Sequence, residues 1–73
     1  MTPTMLGEPL TARELEIAGL VAQALTSRQI ARQLFISVRT VDGHLRSIYA
    51  KTGTGTRVRL LNWLADNSGG QEP

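Results

Sequence analysis

Cysteine is absent from this 73-residue chain, so no disulfide framework, thiol nucleophile or cysteine-ligated zinc site can be built from it. Aromatic residues are scarce as well: Phe35, Tyr49 and Trp63 are the full set, and aliphatic side chains must fill any core. His44 is the single histidine, and a metal centre or catalytic triad would need partners that the chain hardly provides. No stretch approaches the ~18 apolar residues of a membrane span, and no basic segment followed by an apolar run opens the sequence. The expectation is a cytoplasmic protein that is not an enzyme, with no catalytic residues, metal, cofactor, membrane contact or small-molecule ligand. At well under the ~100–150 residues of a typical domain, a single small core is all that fits. Its stability must come from locally packed helices or from a partner chain.

What is present is a strongly uneven charge. Residues 26–59 carry Arg28, Arg32, Arg39, Arg46, Lys51, Arg57 and Arg59 against Asp42 alone, a local +6, while residues 1–25 and 60–73 carry −2 each. The overall +2 therefore conceals a central basic block, the footprint expected where a polyanion docks.

Helix signals recur four times along the chain. Thr11 with Glu14 makes a capping box, as does Thr26 with Gln29; Ser37 is a good N-cap, and Thr56 is another. These predict an all-α chain with helices over about 11–25, 27–34, 38–52 and 56–67. Residues 1–9, with Pro3, Gly7 and Pro9, read as a loose linker, and 68–73 as a flexible tail. In the first helix Ile17, Ala18, Val21, Ala24 and Leu25 form the inward stripe, and in the second Ile30, Ala31 and Leu34 do so. The short connection at Phe35-Ile36 gives the second and third helices the spacing of a helix-turn-helix, about 26–45. In the third, Val41, Leu45, Ile48 and Thr52 share one face. Arg39, Gly43, Arg46 and Ala50 lie opposite, two arginines between small residues that would let a helix sink into a groove. Gly53 is placed to take the left-handed cap that ends this helix. The fourth helix has two apolar faces. Val58, Leu61 and Ala65 are expected to meet the core; Leu60, Trp63 and Leu64 form a second face and are the candidates for a dimer interface.

From Leu10 to about Leu64 these residues resemble the LuxR-type, or GerE-type, helix-turn-helix domain of bacterial transcriptional regulators. The resemblance rests on Leu10-Thr11-Ala12-Arg13-Glu14, Thr26-Ser27-Arg28-Gln29-Ile30-Ala31 and Leu34-Phe35-Ile36-Ser37. Thr40-Val41, His44, Ile48, Lys51, Gly53 and Arg57 follow at the fixed offsets of the pattern. It implies a four-helix domain over about 10–67 that binds double-stranded DNA as the output module of a regulator. Its third helix would enter the major groove and its fourth would form a homodimer, with a sensory or receiver domain on the N-terminal side of the full-length protein. Arg46, Asp42, Gly43 and Arg39 are then the candidates for reading bases, and Thr40, Arg28, Ser37, Lys51 and Arg57 for holding phosphates. Two positions depart from the pattern, since Asp42 usually carries a lysine or arginine and Gly43 a real side chain. Asp42 stands four residues before Arg46, in the order that favours an ion pair able to hold the arginine extended. The alternative is a protein-interaction or dimerisation module of the same fold with weakened specific DNA binding.

Overall fold

The computed structural model describes residues 6–69, with side chains to Asp66. Four helices follow in order: α1 Ala12–Ala22, α2 Ser27–Leu34, α3 Val38–Thr52 and α4 Arg57–Gly69. All are α-helical, as the sequence leads one to expect, and each begins where a side chain satisfies an orphan amide. Thr11 Oγ1 accepts the Glu14 N–H at 3.1 Å while Glu14 accepts the Thr11 N–H at 2.9 Å, and Thr26 with Gln29 repeats the exchange at 3.1 and 2.8 Å. Ser37 Oγ accepts the Thr40 N–H at 3.0 Å, and Thr56 Oγ1 accepts the Arg59 N–H at 3.2 Å. Such caps contribute ~1 kcal/mol each.

Two boundaries differ from expectation. Helix α1 stops at Ala22, three residues early, because Ala24 turns left-handed with φ 68°. The Leu25 amide then donates to the Leu20 carbonyl at 3.2 Å and the Ala24 amide to Val21 at 2.8 Å, the paired closure of a Schellman motif with alanine in the place glycine usually takes. Helix α4 continues through Ser68 to Gly69, so two residues expected in the tail are helical. The remaining tail residues, 70–73, and residues 1–5 of the expected linker lie outside the described residues.

Residues 6–9, expected to be loose, are fastened. The Gly7 amide donates to the Lys51 carbonyl at 2.9 Å, and a Cβ on Gly53 would stand 2.9 Å from Leu6 Cδ1. Gly53, at φ +71°, thus serves both as the left-handed cap of α3 and as room for this segment.

The core is aliphatic. Ile17, Val21, Ile30, Val41, Ile48 and Leu60 are fully buried, with Ala18, Leu20, Ala31 and Leu45 nearly so. Helix α3 lies against α1 and α2, and α4 packs on α1 and α3. The expected stripes of α1 to α3 hold at Ile17, Ala18, Val21, Ile30, Ala31, Val41, Leu45 and Ile48. Leu20 joins them, Leu25, Leu34 and Thr52 are half-buried, and Ala24, beyond the helix end, is exposed. On α4 the expected inward face holds only at Leu61, which packs on the core: Val58 is exposed and Ala65 lies on the surface, while Leu60 is fully buried. Leu60 is therefore filled into the core of its own chain and leaves the set of dimer-interface candidates.

Candidate nucleic-acid interface

Helix α3 is divided lengthwise by its own periodicity. Val41, Leu45 and Ile48 point into the core, and Arg39, Asp42, Gly43 and Arg46 are exposed on the other side. At its start Ser37 and Thr40 are both exposed, their hydroxyls 2.9 Å apart. The free amides of a helix N-terminus beside two hydroxyls make a suitable seat for an anion. Gly43 faces open space, with nothing within 4 Å of where its Cβ would be. No packing inside the domain requires a glycine there. His44, half-buried, stands between the two faces.

The far end of α3 is held by a sealed ionic cluster that sequence reasoning did not identify. Glu14 in α1 is buried, and so is Lys51. The Lys51 ammonium donates to Glu14 Oε1 at 2.6 Å and to the Pro9 carbonyl at 3.2 Å, and the Ser47 hydroxyl donates to Glu14 Oε2 at 2.6 Å. Burial pushes the Glu14 carboxyl up. The hydrogen bonds from Lys51, Ser47 and the Thr11 amide, with the Lys51 charge, outweigh it and lower the carboxyl to about 2. Glu14 thus completes a capping box and binds α3 in the same stroke. Lys51 follows Ile48 at i+3, beside the buried stripe, but its partner lies 37 positions away and leaves no local signal.

This placement removes Lys51 from the phosphate-binding candidates, since an ammonium enclosed by a carboxylate and a carbonyl cannot reach a ligand outside. Arg57 is also committed within the domain. Its guanidinium donates to the Leu25 carbonyl and to Ser27 Oγ, both at 3.0 Å. The Leu25 carbonyl lies between α1 and α2, where no helical partner exists for it, and Arg57 supplies one. Arg28 is exposed in the first turn of α2, Arg32 in its last turn and Arg59 on α4. Five exposed arginines, 28, 32, 39, 46 and 59, therefore stand against Asp42 between residues 26 and 59.

The expected pair between Asp42 and Arg46 is not formed. Among the described residues the ion pairs are Arg13 with Glu16, at 3.1 Å on the surface, and Lys51 with Glu14. Both Asp42 and Arg46 are exposed, where an ion pair returns little for the side-chain freedom it removes. The two residues do share a depression of about 310 Å³, lined also by Ser27, Leu45, Tyr49 and Arg57. These two base-reading candidates are thus brought beside the start of α2.

A second surface lies between α1, α4 and the 6–9 segment. Trp63 and Leu64, both half-buried, line an open groove of about 570 Å³ with Leu10 and the exposed Leu15. Leu15 and Leu64 also edge a neighbouring groove of about 420 Å³ that reaches Leu61 and Ala65. Among the described residues no group of histidine, aspartate or glutamate side chains could hold a metal ion, and no helix is long and apolar enough to cross a membrane.

Residues 8–64 match the family described as bacterial regulatory proteins, luxR family. The monoamine regulon transcriptional regulator of Klebsiella aerogenes is 49% identical over 53 residues, which make up 73% of this chain and 23% of that protein. Response regulator Rre1 of Synechocystis sp. is 37% identical over 62 residues, 85% of this chain and 27% of the relative. The transcriptional regulatory protein LiaR of Bacillus subtilis is 40% identical over 52 residues, 71% of this chain and 25% of its own length. The chain thus spans about a quarter of each of these relatives, and 6% of a longer regulator from Mycobacterium bovis.

Proposed function

The chain belongs to the luxR family of bacterial regulatory proteins, a DNA-binding domain of transcriptional regulators, and from that premise we propose that it reads specific DNA sites by laying α3 in the major groove. One observation carries the reading: the outward face of α3 presents Arg39, Asp42, Gly43 and Arg46 to solvent, with open space over Gly43. Two arginines flanking a position without a side chain let the helix backbone come close to base edges. Arg46 is the principal base reader, bidentate to a guanine, and Asp42 accepts from a cytosine amine or limits the choice of neighbour. Ser37, Thr40 and Arg28 hold phosphates and set the register.

A domain of this size neutralises ~3–4 phosphates, so log affinity falls against log salt with a slope near −3. A single copy binds weakly. Trp63 and Leu64 on α4 are the anchors of a homodimer that sets two α3 helices one DNA turn, ~34–36 Å, apart on repeated half-sites. An N-terminal receiver or sensory domain completes the protein, as the response regulator among the relatives suggests, and the cytoplasm is its place of work.

The test is a site selected by the chain from randomised duplexes. Arg46→Ala must lose ~1–3 kcal/mol of discrimination at one base pair. Equal weakening on every sequence removes the base-reading role, and no salt-dependent binding by the parent leaves an interaction module. Sedimentation of Trp63→Ala against the parent tests the dimer, which a monomeric parent already rules out.

A further inference from the structure

We propose that Phe35 is a DNA-contacting residue that reads a thymine methyl group beside the bases met by α3, an inference that rests on the DNA-binding reading above. Phe35 lies in the turn between α2 and α3 and is 94% exposed. Its backbone is left-handed, φ 60° and ψ 42°, where glycine or asparagine is accommodated far more easily than a large side chain. The position therefore costs stability twice, in a hydrated aromatic ring and in a strained backbone. The backbone cost is met by closing α2 and delivering Ile36 to a half-buried site, but nothing inside the domain uses the ring. The turn is closed by main-chain groups, the Ile36 amide donating to the Ala31 carbonyl at 3.0 Å, and the ring belongs to no part of the core. A large exposed ring, at a position where glycine or asparagine would close the helix more easily, points to a contact outside the fold.

The charges around it select the partner. Arg28, Arg32 and Arg39 are exposed on the helices that flank the turn, and no acidic residue occurs between Glu16 and Asp42. Val38, 40% exposed, adds a second apolar group one residue past the N-cap. The complementary surface is apolar at its centre and anionic at its rim. The major groove offers that pattern: the thymine C5-methyl is the apolar feature of its base edges, and phosphates line both sides. Phe35 stands two residues before Ser37, whose hydroxyl caps α3. The residue thus immediately precedes the start of the helix laid in the groove.

The experiment uses a duplex selected by the parent chain, with each thymidine replaced in turn by deoxyuridine, which lacks only the methyl group. At one position the replacement should lower parent affinity about four-fold, the effect of one buried methyl. Phe35→Gly and Phe35→Asn, both at ease in a left-handed backbone, should bind the thymidine duplex about four-fold more weakly and be indifferent to that replacement. Their melting temperatures should match or exceed that of the parent, which separates lost contact from lost fold. Variants that bind like the parent with the same deoxyuridine sensitivity overturn the proposal, including the case in which the ring serves another protein. A parent that selects no duplex at all marks failure of the DNA-binding reading itself, and the contact falls with it.

Discussion

Lys51 and Arg46 are cations on the same helix five residues apart, and they meet opposite fates. Lys51 is enclosed with Glu14, Ser47 and the Pro9 carbonyl, while Arg46 is exposed on the outer face. Arg57 and Arg28 repeat the contrast at the starts of α4 and α2: one is bonded to Leu25 and Ser27, the other is open to solvent. The basic block is therefore two populations. One holds α3 and the α1–α2 connection in position, and the other is free to meet a ligand. Charge along the sequence measures their sum, and only the free part contributes to binding a polyanion.

The largest expected effect tests the inner population. Glu14→Gln leaves the Lys51 ammonium buried without its counter-charge and should cost ~3–5 kcal/mol, enough to unfold much of so small a domain; urea denaturation followed by circular dichroism measures it. A loss below about 1 kcal/mol would show that the cluster does not hold α3. The same carboxyl makes stability depend on acid. Its folded value of about 2 lies below the ordinary 4.5 of a glutamate, so its contribution is present above about pH 4.5 and is lost as pH falls toward 2. Melting temperatures across that window should drop in the parent, and the part of the slope due to Glu14 should vanish in Glu14→Gln.

Next in size is the exchange of Arg57 with Arg28. Arg57→Met strands the Leu25 carbonyl and should lower stability by ~1–2 kcal/mol without changing the salt slope of DNA binding. Arg28→Met should leave stability within ~0.5 kcal/mol and reduce the slope by about 1. The reverse outcome would dissolve the division into two populations. The smallest effect belongs to Gly43. Gly43→Ala adds a methyl to open space and should stabilise α3 by up to ~1 kcal/mol. If close approach to base edges depends on the missing side chain, its DNA affinity falls while its melting temperature rises; unchanged affinity would place the backbone farther from the bases.

Much of this arrangement is legible in the residues. The capping pairs at Thr11, Thr26, Ser37 and Thr56 act within three residues, and all four appear as bonds in the structure. The α3 wheel separates Val41, Leu45 and Ile48 from Arg39, Gly43 and Arg46 because one face is apolar and the other is not. Helix α4 offers no such asymmetry. Val58 and Leu60 are both large and aliphatic, and which one turns inward depends on the packing of α1 and α3 against it. Ala24 misleads for a related reason, since alanine favours helix everywhere. The chain turned there because the closure onto Leu20 and Val21 delivers Leu25 to a half-buried site.

The sequence by itself therefore determined the four helices, their starting points, the helix-turn-helix spacing and the outward face of α3, all products of interactions between residues a few positions apart. Tertiary structure alone decided which cations are spent inside, which leucine of α4 enters the core, and that the 6–9 segment is tied to the end of α3. Glu14 and Lys51 are 37 positions apart, and Arg57 and Leu25 are 32. No local pattern connects such pairs. They meet because burying Ile17, Ile48 and Leu60 brings their helices together, and a polar group carried into that junction must find a partner there.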